Sequence, residues 1–185
     1  MKTIISISFL FLLSISLTAQ SFNQEIAREG RAPILVGKIN NKGLAKKPYD
    51  HWFTKNYLEY TPNQNIIDTL KNKLNTYTIK IFLGTWCGDS KREVPRFYKI
   101  LNNSDFSLDR VTTIAVDHSQ DNYKKSPGGE HEGLNIHKVP TFIFYKNGKE
   151  INRIVESPKR SLEEDMLTLL SKQYIPKYNP NPVTK

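Results

Sequence analysis

One junction constrains this chain more than any other. The run Tyr77-Thr-Ile-Lys-Ile-Phe-Leu83 is β-branched and aromatic and reads as a strand. It passes through Gly84-Thr85-Trp86 into Cys87-Gly88-Asp89-Ser90, and a helix pattern follows, with Val94, Phe97, Tyr98 and Leu101 on one apolar face. A strand feeding directly into a helix is half of an α/β unit. Cys87 is the only cysteine in 185 residues, so no internal disulfide can form. The fold must stand on its core, and the cysteine is either a partner for another molecule or a free reactive thiol.

The neighbouring segments extend the same pattern. Thr61-Pro62-Asn63-Gln64 has the form of a helix start, with Thr61 as N-cap, Pro62 at the first helical position and Gln64 completing a capping box. Ile67, Leu70 and Leu74 continue at helical spacing. Pro95 lies inside the helix that follows Ser90 and predicts a kink there. Val111 to Val116 reads as a strand, and 117–138 as a polar loop broken by Ser126-Pro-Gly-Gly129. Thr141–Tyr145 and Glu150–Val155 read as strands joined through Asn147-Gly148, a strong hairpin signal. Ser161-Leu-Glu-Glu164 opens a last helix, with Leu162, Met166, Leu169 and Leu170 facing inward. Strands alternating with helices predict a parallel part, and the hairpin adds an antiparallel part.

The ends of the chain are read differently. Lys2 precedes an apolar run from Ile4 to Leu17, followed by Thr18-Ala19-Gln20. This is the layout of a secretory signal peptide, removed after Ala19, and the run is shorter than the roughly 20 residues of a membrane span. The expectation is export to a periplasm or the extracellular space, with no stable membrane insertion once the signal is cut. Residues 20–60 are expected to form an N-terminal extension packed on the main domain: a strand over Pro33–Ile39, a turn at Asn40–Gly43, and a partly extended piece carrying Trp52, Phe53, Tyr57 and Tyr60. The main domain is placed at 61–173 and a loose tail at 174–185. The net charge is +9, but the lysines are scattered and no dense basic run is interleaved with aromatics. That is a solvated basic surface, which argues against nucleic acid as a partner.

The junction cysteine carries the chemistry. The first N–H groups of a helix are unpaired and its dipole is positive there, so a sulfur at that point is favoured as thiolate, the nucleophilic form. Lys91 and Arg92 add positive charge, whereas Asp89 works in the opposite sense. Ser90 lies three residues on, where its hydroxyl is expected to donate to the sulfur or to cap the helix. His51, His118, His131 and His137 do not have the spacing of a zinc site, and no metal or cofactor is expected.

Trp86-Cys87-Gly88-Asp89-Ser90, Pro95, Val139-Pro140-Thr141 ahead of a strand, and the Asn147-Gly148 hairpin together resemble the thioredoxin family, over about residues 62 to 173. The resemblance implies a thioredoxin-like three-layer α/β/α sandwich with a central mixed sheet of four or five strands, here with the N-terminal extension added. It implies that Cys87 is the attacking sulfur; the assistance of Ser90 is expected from its place three residues on. It implies a cis Pro140 facing Cys87, Val139 backbone pairing with an extended substrate segment, and Trp86, Gly88 and Asp89 around the substrate. Two positions depart from the family: Ser90 stands where a resolving cysteine is usual, and Ile81 where many relatives carry a buried acid or amide.

Three functions are compatible with half of a dithiol. The first is monothiol thiol–disulfide exchange: mixed-disulfide formation, isomerisation or deglutathionylation. Its partners would be disulfide- or thiol-containing proteins, with glutathione or another small thiol releasing them. The second is a redox-inactive module that binds extended peptides at Val139-Pro140. The third is metal delivery through Cys87.

Overall fold

The computed structural model describes residues 22–171 and 174–178. The segment 1–19, expected to be a signal peptide, lies outside the described residues. Two strands open the described chain, β1 (Gln24–Arg28) and β2 (Arg31–Ile39), followed by a one-turn helix α1 (Asn41–Leu44) and by α2 (Asp50–Glu59). Helix α3 (Gln64–Lys73) leads into β3 (Tyr77–Leu83), and α4 (Gly88–Asn103) into β4 (Val111–Ala115). The hairpin β5 (Thr141–Lys146) and β6 (Lys149–Val155) precedes α5 (Leu162–Leu170).

The six strands form one mixed sheet in the order β1-β2-β4-β3-β5-β6. Only β3 and β4 run parallel; the other neighbours are antiparallel. The alternation of a strand sorts residues onto two faces. Ile79, Ile81 and Leu83 of β3 share one cluster with Phe142 and Phe144 of β5 and with the buried residues of α2, α3, α4 and α5. Phe97 of α4 stacks on Phe142 with ring centroids 4.3 Å apart. Phe82, Ile114 and Ile143 point to the other face, where Leu134 and Ile136 cover them. The layer on that face is therefore built from the long segment between β4 and β5.

Several local expectations are met for the physical reasons given. Asn147 and Gly148 both have positive φ, 51° and 75°, as a tight hairpin turn with the strands' twist requires. Ser161 caps α5 by accepting from the Glu164 N–H at 3.2 Å. Other expectations are corrected. Asn63, not Thr61, caps α3, accepting from the Asn65 N–H at 3.0 Å. The aromatic stretch around Trp52 is the helix α2, which packs on α4. Within the segment 22–60, β2 pairs with β4, which widens the sheet from the four or five strands expected to six. In the segment assigned to the loose tail, Tyr174 is buried and its hydroxyl donates to Asp165 at 3.0 Å.

Candidate functional site

The site is set where β3 ends. The Cys87 N–H donates to the Gly84 carbonyl at 2.9 Å, closing the turn that reverses the chain into α4. Cys87 is the N-cap of α4 in extended conformation, and its carbonyl accepts from the Lys91 N–H at 3.0 Å. The sulfur thus stands at the positive end of a helix of 16 residues. Gly84 is required by a close approach, since a Cβ there would lie 2.5 Å from the Trp86 ring. The indole Nε1 donates to the Val116 carbonyl at 3.1 Å, so Trp86 ties the turn to the end of β4. Thr85 is buried, and its Oγ1 accepts from the Leu35 N–H at 3.1 Å. Strand β2, far away in sequence, therefore braces the same turn.

Across from the turn, Val139-Pro140 is a cis peptide bond, and Thr141 Oγ1 donates to the Lys138 carbonyl at 2.7 Å. The Cys87 thiol, half-buried, donates to the Val139 carbonyl at 3.2 Å. Trp86, Cys87, Val139 and Pro140 are brought together from residues some 52 positions apart.

Ser90 takes a different role from the one expected. It is fully buried, and its Oγ accepts from the buried Gly84 N–H at 3.2 Å. Among the described residues it makes no hydrogen bond to the sulfur; it faces the end of β3. Gly88 is exposed, with open space where a side chain would stand. Asp89 pairs with Arg92 at 2.6 Å. Arg92 also pairs with buried Glu93 at 2.6 Å, and these two carboxylates push its pKa up, the Glu93 bond most strongly. Its charge is engaged along the helix, not directed at Cys87. Ile81, in the place of the family's buried acid or amide, is wholly buried in the core.

Other groups near the site carry no sequence signal that points to it. The His118 ring packs edge-on to Trp86 at 4.5 Å, and Tyr123 lies 5.5 Å from the same indole. Lys138, beside Val139, bonds both oxygens of Glu156 at 2.9 and 2.8 Å. Only the three-dimensional closure of the segment 117–138 over the sheet brings these residues to Cys87. His131 has a local role: its Nδ1 accepts from the Ser126 N–H at 3.1 Å. Among the described residues, no group of three or more His, Cys, Asp or Glu side chains is placed to hold a metal ion.

The thioredoxin family model matches residues 60–168, more than half of the chain. The chain belongs to the thioredoxin family. Thioredoxin-1 of Schizosaccharomyces pombe is 33% identical over 44% of this chain and 70% of its own length. Putative thioredoxin-5 of Dictyostelium discoideum is 37% identical over 46% of this chain and 74% of its own. Thioredoxin of Gallus gallus is 33% identical over 48% of this chain and 75% of its own. The family's mixed sheet with flanking helices is the fold described above. In this thioredoxin-family chain the hairpin β1–β2 with α1 and α2 lies ahead of the matched region.

Proposed function

We propose that this protein is exported and performs thiol–disulfide exchange through Cys87 alone. The observation that supports this most is the pairing of Cys87 Sγ with the Val139 carbonyl at 3.2 Å, at a helix N-terminus, in a chain with no second sulfur able to attack. The Cys87 thiol first loses its proton to solvent. The thiolate attacks the nearer sulfur of a partner's disulfide. A bond from Cys87 to that sulfur forms, the partner's S–S bond breaks, and the other sulfur leaves as a thiolate that takes up a proton. Cys87 is oxidised and the leaving sulfur reduced, so no external oxidant is needed.

The fate of the adduct follows from Ser90. An alcohol cannot expel the partner, so the mixed disulfide persists until a thiol on the partner, or glutathione or another small thiol, attacks it. This supports capture, isomerisation or deglutathionylation over net reduction by this chain alone. Export is proposed from the basic start and apolar run of residues 2–17.

The test is to incubate the native, reduced protein with glutathione disulfide and follow intact mass. The expected result is one glutathione adduct on Cys87, stable until external thiol is added, and none in Cys87→Ala. No adduct on the folded protein would overturn the exchange reading and leave a peptide-binding module.

A further inference from the structure

Two exposed tyrosines stand on opposite flanks of the Cys87 site. The first flank lies toward β4. There Trp86 is bonded to Val116, and Tyr123 packs 5.5 Å from the indole. Lys124 Nζ sits 4.8 Å from the Tyr123 ring centroid and donates to the His137 carbonyl at 2.5 Å. The second flank lies toward β6. Glu156, just past β6, pairs with Lys138, whose Nζ sits 4.5 Å over the Tyr178 ring. In the sheet, β4 and β6 lie on opposite sides of β3 and β5, so the two rings bracket the segment that carries Val139.

Both rings sit on tethered backbone. Besides the buried Tyr174 hydroxyl, the tail is held by Asn152 Nδ2 donating to the Tyr174 carbonyl at 2.7 Å and by Lys177 Nζ donating to Ser157 Oγ at 3.0 Å. Tyr123 is 49% and Tyr178 45% exposed, so each keeps ring surface available to a partner. Tyrosine has few rotatable bonds, and a ring already held by a lysine loses little freedom when a ligand covers it. The Lys138 charge is answered by Glu156, and the Lys124 and Lys177 ammonium groups are turned to the His137 carbonyl and to Ser157 Oγ, so each flank offers a partner aromatic ring surface.

We propose that Tyr123 and Tyr178 determine the specificity of the Cys87 site. The substrate class is an extended polypeptide disulfide with aromatic or apolar side chains next to its cysteine. This rests on the exchange reading above. A chain laid across Val139 meets one ring on each side while its disulfide lies against Cys87. The chemistry is the same exchange: the Cys87 sulfur bonds to the peptide sulfur, and the peptide's other half leaves as a thiol.

The test compares two symmetric disulfides of short capped peptides, one with phenylalanine on both sides of cysteine and one with glycine. The rate of mixed-disulfide formation is measured for the reduced wild type, Tyr123→Ala, Tyr178→Ala, the double alanine variant and the matching phenylalanine variants. The wild type is expected to favour the phenylalanine peptide about tenfold, each alanine variant to lose about threefold of that preference, and the phenylalanine variants to keep it. An unchanged preference in the double alanine variant, or no preference in the wild type, would overturn the proposal. Failure of the wild type to react with either peptide or with glutathione disulfide would instead refute the exchange reading itself.

Discussion

Replacing Ser90 by cysteine should turn a capturing site into a releasing one. Positions 87 and 90 are one helical turn apart at the start of α4, and i, i+3 side chains on a helix are neighbours, with Cβ atoms about 5–6 Å apart. Disulfides hold Cβ atoms about 3.5–4.5 Å apart, so the pair closes once the two side chains approach by about 1–2 Å. Well-oriented internal reactions reach effective molarities of about 10^5 M. Even a poorly oriented internal thiol, acting at about 1 M, would release a captured partner about 10^3-fold faster than 1 mM external thiol. The substitution also has a structural cost. Ser90 Oγ accepts from the buried Gly84 N–H at 3.2 Å, and sulfur is a weaker acceptor. Ser90→Cys should therefore lose about 1 kcal/mol of stability, and Ser90→Ala about 1–3 kcal/mol, because it leaves that donor unpaired. The assay loads Cys87 with a fluorescent peptide as a mixed disulfide, removes all free thiol, and follows release. The wild type should hold the peptide; Ser90→Cys should release it as the internal disulfide between positions 87 and 90 forms. Spontaneous release from the wild type at the variant's rate would show that Ser90 does not hold the adduct back, and a folded Ser90→Cys that never forms the internal bond would show that positions 87 and 90 do not meet.

Two further outcomes are expected. Thr85→Val keeps the side-chain shape but removes the acceptor of the buried Leu35 N–H. It should cost about 1–3 kcal/mol, a melting point lower by about 3–10 °C, and an unchanged melting point would show that β2 does not brace the turn. Burial pushes the Tyr98 phenol up to about 12 from 10.0, against the lowering effect of its hydrogen bond to Thr113. The neutral phenol is the form the fold favours. Its contribution is whole below the unfolded value of 10.0 and is lost as pH rises through about 12. Stability measured by denaturant titration should fall between those limits, less steeply in Tyr98→Phe; equal slopes would contradict the assignment.

Much of the site is legible in the sequence because its signals are local. A β-branched run ending in Gly84, a lone cysteine before an apolar helical face, and Val139-Pro140 ahead of a strand each mark a position by short-range chemistry. The hairpin at Asn147-Gly148 and the cap at Ser161 are of the same kind. What escapes a sequence reading depends on distant partners. Helix α2 has no side-chain cap at Tyr49, and its aromatic residues are middling helix formers, so it resembles an extended piece until α4 lies against it. Thr61 obeys the capping rule, but Asn63 takes the role, next to a Glu163 that accepts from its N–H at 3.1 Å across the fold. Ser90 is polar and follows a cysteine, which points to service to the sulfur. Its burial against Gly84 is a consequence of how α4 sits on the end of β3. Tyr178 reads as part of a loose tail because nothing nearby in sequence reveals Lys138.

Exchange through Cys87 requires a fold that leaves its sulfur ready to attack a disulfide. The most direct measurement is the rate of mixed-disulfide formation with glutathione disulfide, compared at neutral pH between the native chain and the chain unfolded in guanidinium. If the turn at the start of α4 and the Val139 edge present the sulfur to an incoming disulfide, the native chain reacts faster than the unfolded one. A native chain that reacts more slowly, or only after unfolding, would mean that the fold shields Cys87 instead of presenting it.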